Sequence, residues 1–203
     1  MKRDLAGDAF APQGPDGAAL AVARLEAWFE ANGWRAFAFQ REVWDAYLAG
    51  ESGLVHSATG SGKTLAAWLG PLAQWIGEGG GRGAPALRVL WITPMRALAS
   101  DTVLSLERAV EGLGIPWTVG LRTGDTSSAE RARQAKKLPS ALVTTPESLS
   151  LMLSNADGRE RLSELRLVVV DEWHELLGNK RGVMTELCLA RLRKWNPKLQ
   201  VWG

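Results

Sequence analysis

The feature that most constrains this chain is the segment Ser57-Ala58-Thr59-Gly60-Ser61-Gly62-Lys63-Thr64. It follows a short apolar stretch at 53–56 and opens an apolar-periodic segment at Leu65, which predicts a strand, a loop and a helix in that order. Glycines let backbone N–H groups turn inward around phosphate oxygens, and the start of a helix favours the same negative charge. The segment therefore predicts a phosphate-binding loop. The competing interpretation is a Gly/Ser-rich turn that only happens to end in Lys-Thr, since Ser57 stands where the strict pattern has glycine.

Two side chains of this segment would do most of its chemistry. Lys63 would reach the β- and γ-phosphates of a nucleotide, and the Thr64 hydroxyl would ligate Mg²⁺. The predicted nucleotide-binding residues of the loop are Thr59, Gly60, Ser61, Gly62, Lys63 and Thr64.

Length and composition narrow the class of protein. The chain has 203 residues, of which 46% are hydrophobic, which is enough for one α/β domain with a sizeable core. The net charge of +2 neither favours nor excludes nucleic acid, and the lone Cys188 excludes an internal disulfide and a cysteine-based zinc site. No run of about twenty apolar residues is present, and the N-terminus lacks the apolar core of a signal peptide. We therefore expect a cytoplasmic protein without a membrane partner.

Helical and extended patterns alternate along most of the chain. Residues 1–17 are rich in Gly, Pro, Ala and Asp, so we predict a flexible lead-in there and one domain over 18–203. Nearly continuous apolar runs such as 165–170 are typical of strands buried on both faces of a parallel sheet. The predicted strands are 53–56, 87–92, 117–121, 140–144, 166–170 and 199–202. The predicted helices are 20–29, 40–48, 63–76, 96–111, 127–137, 146–154 and 181–195.

A pair of carboxylates follows the apolar run 168–170. An acid at the end of a buried strand is costly without a partner, and Mg²⁺ on a bound nucleotide is a natural partner for Asp171. Glu172 would then orient or deprotonate the attacking water. We accordingly predict Lys63, Asp171 and Glu172 as catalytic residues and Thr64 and Asp171 as metal ligands. The alternative is that these acids only cap the next helix, for which Asp171 is suited.

These motifs together carry a family resemblance. Asp-Glu-x-His at 171–174, combined with the loop at 57–64, resembles a superfamily 2 DExH-box helicase. Further segments are similar to the adenine-reading Gln motif, motif Ia, the Thr-Gly element and motif Ib; they are Phe39-Gln40, 93–99, 122–126 and 144–149. Residues 171–182 most resemble the Lhr-type (large helicase-related) group, in its ligase-associated bacterial DNA-repair branch.

The resemblance implies a fold and a function. The fold would be a RecA-like phosphate-loop NTPase domain, a mostly parallel sheet with helices on both faces. The function would be that of the N-terminal lobe of an ATP-dependent 3′–5′ DNA helicase or translocase, acting on single-stranded nucleic acid in DNA repair with a ligase or nuclease as partner. The resembled helicases carry a second lobe that this chain lacks, so we expect part of a longer protein, inactive by itself. The alternatives are an RNA helicase lobe, a binding module without turnover and, more remotely, a nucleotide kinase.

The resemblance also assigns roles to individual side chains. Gln40 would read adenine through its amide, the alternative being an exposed residue at a helix start. Trp34 or Phe37 would stack on the base, the alternative being that these aromatic residues belong to the core. His174 would couple the nucleotide site to the second lobe, whereas His56 is interpreted as structural. A nucleic-acid track is predicted at Thr93, Pro94, Arg96, Thr123, Gly124, Thr145 and Pro146, although Thr-Pro also suits a plain helix start. The basic run Arg131, Arg133, Lys136 and Lys137 is interpreted as a solvated helix face.

Overall fold

The computed structural model describes residues 15–58 and 60–203. Thr59 and residues 1–14 lie outside the described residues, so the nucleotide-binding prediction for Thr59 and most of the predicted lead-in stay predictions. The first helix begins at Pro15, so the lead-in predicted to reach residue 17 is too long at its end. Within the described ranges, no helix combines the length and apolar character that crossing a membrane requires.

Three helices come first, and strands and helices then largely alternate. Most predicted bounds agree closely with the observed ones, but the first helix, predicted at 20–29, extends over Pro15–Ala31. In chain order the elements are α1 (Pro15–Ala31), α2 (Ala38–Leu48), α3 (Lys63–Gly77), β1 (Val89–Ile92), α4 (Arg96–Gly112), β2 (Val119–Arg122), α5 (Ser128–Lys136), β3 (Ala141–Thr144), α6 (Pro146–Ser154), α7 (Gly158–Arg161), β4 (Leu167–Val170), a 3₁₀ helix (Trp173–Leu176), α8 (Lys180–Trp195) and β5 (Gln200–Trp202). The sequence did not predict α7 and the 3₁₀ helix, because four residues are too few to show a helical period.

The five strands form one parallel sheet in the order β2-β3-β1-β4-β5. The predicted strand at 53–56 runs along β5 without becoming a full strand. Gly53 N–H donates to Val201 O at 3.2 Å, and Val55 N–H donates to Gly203 O at 2.7 Å. The phosphate loop is therefore fixed to the sheet edge by this short extended segment.

Each face of the sheet has its own hydrophobic core. Alternate residues of β1 point to opposite sides, with Val89 and Trp91 in one core and Leu90 and Ile92 in the other. The first core is completed mainly by α1–α4, and the second by α6–α8. The prediction of a mostly parallel sheet with helices on both faces is confirmed.

The strand register gathers the loops of interest at one edge. Ile92 of β1 lies beside Thr144 of β3 and Val170 of β4, and Thr144 lies beside Arg122 of β2. The residues that follow these strands therefore emerge side by side at the carboxyl edge of the sheet, where α/β proteins of this architecture bind ligands.

Candidate nucleotide and nucleic-acid site

The phosphate loop has the backbone that its glycines predict. Gly60 and Gly62 adopt φ of 78° and 88°, the left-handed region that glycine enters at little cost. Gly62 is the N-cap of α3, and no side chain caps the helix start. Lys63 Nζ folds back over the loop and donates to Ser57 O at 2.7 Å and Ala58 O at 3.1 Å. The buried Ser61 hydroxyl has no hydrogen-bond partner. An uncapped helix start, a cation over the loop and an orphaned hydroxyl fit a polyphosphate.

The carboxylate of Asp171 lies behind this loop at the end of β4. Its Oδ2 accepts a hydrogen bond from Trp91 Nε1 at 3.2 Å. Burial raises the pKa of Asp171 and neighbouring Glu172 adds to the rise, while the Trp91 N–H and the Lys63 charge lower it in part. Glu172, not Asp171, is the N-cap of the following 3₁₀ helix. The interpretation of the acids as a helix cap is therefore wrong for Asp171, and Glu172 occupies the N-cap position without a side-chain hydrogen bond to the helix start.

Glu172 has the one strained backbone among the described non-glycine residues. Its φ of 46° and ψ of 42° are left-handed, which costs a non-glycine residue of order 1 kcal/mol. Such strain persists where the surrounding structure imposes it, and it is found at functional positions more than elsewhere.

The predicted catalytic and metal-binding residues line one cavity of about 180 Å³. Its lining includes Lys63, Thr64, Asp171, Glu172, Trp91, His56 and His174. The Thr64 hydroxyl and the Asp171 carboxylate are oxygen ligands of the kind that Mg²⁺ prefers. No group of three or more His, Cys, Asp or Glu side chains within residues 15–58 and 60–203 could cage a metal ion. That fits Mg²⁺, which usually takes only one or two carboxylates and completes its shell with water and phosphate.

Gln40 is buried, so its interpretation as an exposed residue at a helix start is wrong, and both ends of its amide are in use. Its Oε1 accepts from Phe37 N at 2.9 Å, and its Nε2 donates to Gly62 O at 3.0 Å. A Cβ on Gly62 would lie 2.6 Å from that Nε2, so the close approach requires glycine. Gln40 thus ties the start of α2 to the cap of α3. Adenine reading by this amide stays a prediction, and would require it to exchange these partners.

Two aromatic side chains near Gln40 in the sequence are exposed. Trp34 is 51% exposed and Phe37 is 58% exposed, so the interpretation that they belong to the core is wrong. Phe37 stacks on the half-buried Phe39 with ring centroids 6.0 Å apart. Base stacking on Trp34 or Phe37 remains a prediction that their exposure permits.

The threonines of the predicted nucleic-acid track are buried, and their hydroxyls are occupied by the protein. Thr93 Oγ1 accepts from Met95 N at 3.4 Å, and Thr123 Oγ1 accepts from Asp125 N at 3.2 Å. Thr145 caps α6 by accepting from Ser148 N at 3.4 Å. These hydroxyls shape the loops that carry them.

The two Thr-Pro pairs differ in their local role. Pro146 occupies the first turn of α6 behind the Thr145 cap, so the helix-start interpretation is confirmed there. It is wrong for Thr93, because α4 begins at Arg96 with Met95 as its N-cap. Pro94 and Pro146 are both buried.

The surface of the predicted track consists of Arg96 and Gly124. Both are exposed, and Arg96 Nη1 lies 3.3 Å from Asp125 Oδ2. This contact joins the loop after β1 to the loop after β2. The two loops thus place the Arg96 guanidinium and the glycine backbone of residue 124 next to each other at the carboxyl edge.

The basic run on α5 is only partly a solvated face. Arg133, Lys136 and Lys137 are exposed as predicted. Arg131 instead donates to three carbonyl oxygens, those of Thr126 at 2.9 Å, Thr123 at 3.1 Å and Gly124 at 2.8 Å. The prediction was wrong for Arg131, which anchors the turn at 123–126.

The two histidines lie at the cavity. His174 is exposed, with Nδ1 3.4 Å from Glu172 Oε2 and Nε2 3.5 Å from Glu175 Oε1. Its role in coupling to a second lobe stays a prediction. His56 is exposed at the mouth of the cavity rather than packed in the core, so its interpretation as a structural residue lacks support.

Sequence reasoning missed two residues of the site. Trp91 was assigned only to a buried strand, although its indole N–H holds Asp171 across the sheet. Asp125 entered the sequence analysis only as a member of the Thr-Gly element at 122–126, without a role, and its contact with Arg96 joins two loops. Neither contact leaves a local signal, because each joins segments far apart in the chain.

These features define a RecA-like phosphate-loop domain: a parallel sheet with helices on both faces and a glycine-rich loop facing an Asp-Glu pair at the carboxyl edge. Residues 37–202 match the DEAD/DEAH box helicase family, and the chain belongs to that family.

The relatives include Lhr-type helicases. Over 170 residues the chain is 38% identical to the Lhr helicase/uracil glycosylase of Escherichia coli, covering 76% of this chain and 11% of the relative. Over 154 residues it is 42% identical to the ATP-dependent helicase Lhr-Core of Methanothermobacter thermautotrophicus, covering 71% of this chain and 18% of the relative. The chain therefore spans only about a tenth to a fifth of the length of these curated relatives.

The fold is similar to solved helicase structures. Mycobacterium smegmatis helicase Lhr bound to ssDNA and AMP-PNP superposes with a TM-score of 0.76 at 36% identity, over 89% of this chain and 24% of that one. The DEAD-box helicase Mss116, bound to ssRNA and AMP-PNP, gives a TM-score of 0.73 at 18% identity over 93% of this chain and 37% of that one. At that identity the second likeness shows the fold alone.

Proposed function

We propose that this chain is the ATP-binding lobe of an ATP-dependent helicase or translocase that acts on single-stranded nucleic acid. The observation that carries the proposal is the shared cavity of Lys63, Thr64, Asp171 and Glu172 at the carboxyl edge of the sheet. The likeness to M. smegmatis Lhr bound to ssDNA and AMP-PNP supports both the nucleotide and the strand.

Each cavity residue has a distinct task in this proposal. Lys63 exchanges the carbonyls of Ser57 and Ala58 for the β- and γ-phosphates of ATP. Thr64 and Asp171 hold Mg²⁺, which when bound neutralises charge on the phosphates. Glu172 orients the attacking water and accepts its proton.

The strand is bound through its phosphates rather than its bases. Arg96 and the backbone of Gly124 face outward next to each other, and a guanidinium with a backbone N–H suits a phosphate oxygen. Such contacts do not read sequence. DNA as the favoured strand is supported by the ssDNA in the M. smegmatis structure. The 3′–5′ polarity, the DNA-repair role and a ligase or nuclease partner rest on the family resemblance alone. The cytoplasmic site of action stays the expectation drawn from the sequence.

Hydrolysis at full rate requires a group that this cavity does not supply. In the described part of the chain, no arginine lines the cavity. An arginine that stabilises the transferred phosphoryl group is worth roughly 10³–10⁵ in rate. We propose that a second helicase lobe provides it, with His174 at the contact between the lobes.

The proposal is tested by two binding titrations and by one measurement of the rate of ATP hydrolysis. The chain should bind AMP-PNP with Mg²⁺, and it should bind an oligothymidylate of about twenty nucleotides more tightly than the matching oligouridylate. Its own strand-stimulated ATP turnover should stay far below about one per second. A chain that fails to bind the nucleotide, or fails to bind the oligonucleotide, would contradict the proposal, and rapid turnover by the chain alone would remove the need for a second lobe. Binding without any turnover, even with a second lobe present, would favour a binding module.

A further inference from the structure

We propose that Asp125 is a release residue for the nucleic-acid strand: its carboxylate competes with a strand phosphate for the Arg96 guanidinium. The inference rests on the proposed strand-binding function and deepens it. It names the group on the protein that the strand must displace.

The contact between the two side chains has the geometry of an exchangeable pair. Both carboxylate oxygens of Asp125 lie near the same Arg96 nitrogen, Nη1, at 3.3 Å and 3.4 Å. A tight two-pronged pair would instead use two nitrogens at about 2.8 Å. The side chains are also 56% and 75% exposed. Exposed ion pairs of this kind contribute little to stability, so a phosphate can replace the carboxylate at small cost.

The neighbouring backbone offers a second hydrogen-bond donor for a phosphate. In the turn at 123–126, the N–H groups of Thr123, Asp125 and Thr126 all donate within the turn. The Gly124 N–H has no acceptor within the described residues. A Cβ on Gly124 would lie 3.1 Å from Arg96 Nη2, so the guanidinium lies directly against this peptide.

The turn itself is held in place from behind. Arg131 donates to the carbonyls of Thr123, Gly124 and Thr126, which fixes three of the four peptides of the turn. The Asp125 side chain is exposed, and its contact with Arg96 is the one that it makes within the described structure. Exchange at Arg96 therefore requires the Asp125 carboxylate to swing away while the turn stays where it is.

The charge of Asp125 opposes the strand. A phosphate on Arg96 would come within a few ångströms of the carboxylate, and two like charges at that distance repel. The pair thus keeps the free edge nearly neutral and lowers strand affinity. A translocating enzyme must release the nucleic-acid strand in every cycle. The Asp125 carboxylate favours release because it can take the place of the phosphate on Arg96.

Removing the charge should tighten binding. Asp125→Asn should raise the affinity of the chain for a fluorescent oligothymidylate about three- to fivefold, mainly through slower dissociation. The gain should be the same for oligonucleotides of other sequence, since neither residue reads bases. Asp45→Asn is the matched control, because Asp45 is exposed on α2, makes no side-chain ion pair in the described structure and changes the net charge equally.

A double-mutant cycle shows whether the effect passes through Arg96. Arg96→Gln should weaken binding severalfold, and adding Asp125→Asn to it should give no further gain. Melting temperatures of all variants should agree, which separates binding from folding. A gain that matches Asp45→Asn, a gain that persists without Arg96, or a loss of affinity in Asp125→Asn would overturn the inference. A wild-type chain that binds no oligothymidylate would instead overturn the proposed function.

Discussion

The two halves of the carboxyl edge treat their polar groups in opposite ways. In the nucleotide half, the Ser61 hydroxyl is buried without a partner, burial raises the pKa of Asp171, and Glu172 holds a strained backbone. The other half, where a nucleic-acid strand is proposed to bind, comprises the loops after β1, β2 and β3. There the hydroxyls of Thr93 and Thr145 are buried and are used as both donor and acceptor within their own loops.

The difference separates binding groups from scaffold. A buried polar group without a partner costs free energy, so its persistence indicates a partner that arrives later. The O–H groups of Thr93 and Thr145 already donate, to Met95 O and to Ser148 Oγ, so these two hydroxyls have no donor left for a phosphate. We therefore propose the exposed Arg96 and Gly124 as the strand contact, whereas Thr93 and Thr145 shape the loops that carry them.

The largest effect is expected at Lys63. Lys63→Ala should lower the affinity for AMP-PNP with Mg²⁺ by about thirtyfold or more, because the phosphates lose their main cation in a partly enclosed site. Isothermal titration calorimetry measures this directly. Lys194→Ala, which removes an exposed lysine from the last turn of α8, is the control and should leave the affinity unchanged. An unchanged affinity in Lys63→Ala would place the nucleotide elsewhere.

The next largest effect is expected at Gln40, and it distinguishes support of the phosphate loop from adenine reading. Gln40→Ala leaves Phe37 N–H and Gly62 C=O without their partner, and an unsatisfied buried group costs about 1–3 kcal/mol. Since the loop itself is disturbed, ATP and GTP should both bind about tenfold more weakly. If only ATP loses affinity, Gln40 reads adenine and its contact with the loop is secondary.

A smaller effect is expected at Asp171, where substitution should increase the stability of the fold rather than weaken a function. Because burial raises its pKa, the folded state binds the proton more tightly than the unfolded chain, and the carboxylate destabilises the fold as pH rises through that pKa. Asp171→Asn should therefore raise stability by about 1 kcal/mol at pH 7 without ligand.

The gain of Asp171→Asn should shrink as the pH falls toward the usual range of an aspartate, where the wild type is protonated as well. Thermal unfolding across pH tests this, with the exposed Asp45→Asn as a control that should not gain. A destabilised Asp171→Asn would mean that the Trp91 contact outweighs the cost of burial.

The smallest effect on binding is expected at Thr145. Thr145→Val removes the cap of α6 and should cost about 1 kcal/mol of stability, while oligonucleotide affinity changes less than about twofold. Arg96→Ala should show the reverse, with weaker binding and an unchanged melting temperature. If Thr145→Val weakens binding as much as Arg96→Ala, the division between scaffold and contact fails.

The sequence predicts what is local. The helix predicted at 63–76 is observed at Lys63–Gly77, and the strand predicted at 166–170 is observed at Leu167–Val170, because long periodic or apolar runs depend on nearby residues alone. The Thr145-Pro146 helix start follows for the same reason.

Contacts between distant segments could not be predicted. The contact between Arg96 and Asp125 is an example, because it joins residues on two different loops. The Trp91 bond to Asp171 arises from strand register, and the engagement of Gln40 with Gly62 depends on how α2 packs against α3. Arg131 was misjudged because its spacing on α5 gives no sign of the carbonyls behind it.

The central claim is that the carboxyl edge at Lys63 and Asp171 is a nucleotide site. The most direct test is a ¹H–¹⁵N NMR titration of the chain with AMP-PNP and Mg²⁺. The account predicts large shifts at Gly60, Gly62 and Glu172 and at the Trp91 indole N–H, which reports on Asp171. The indole N–H of Trp68, bonded to Leu106 O in the core, should not move. Shifts absent from the loop and from Trp91, at nucleotide concentrations that saturate related sites, would contradict the account.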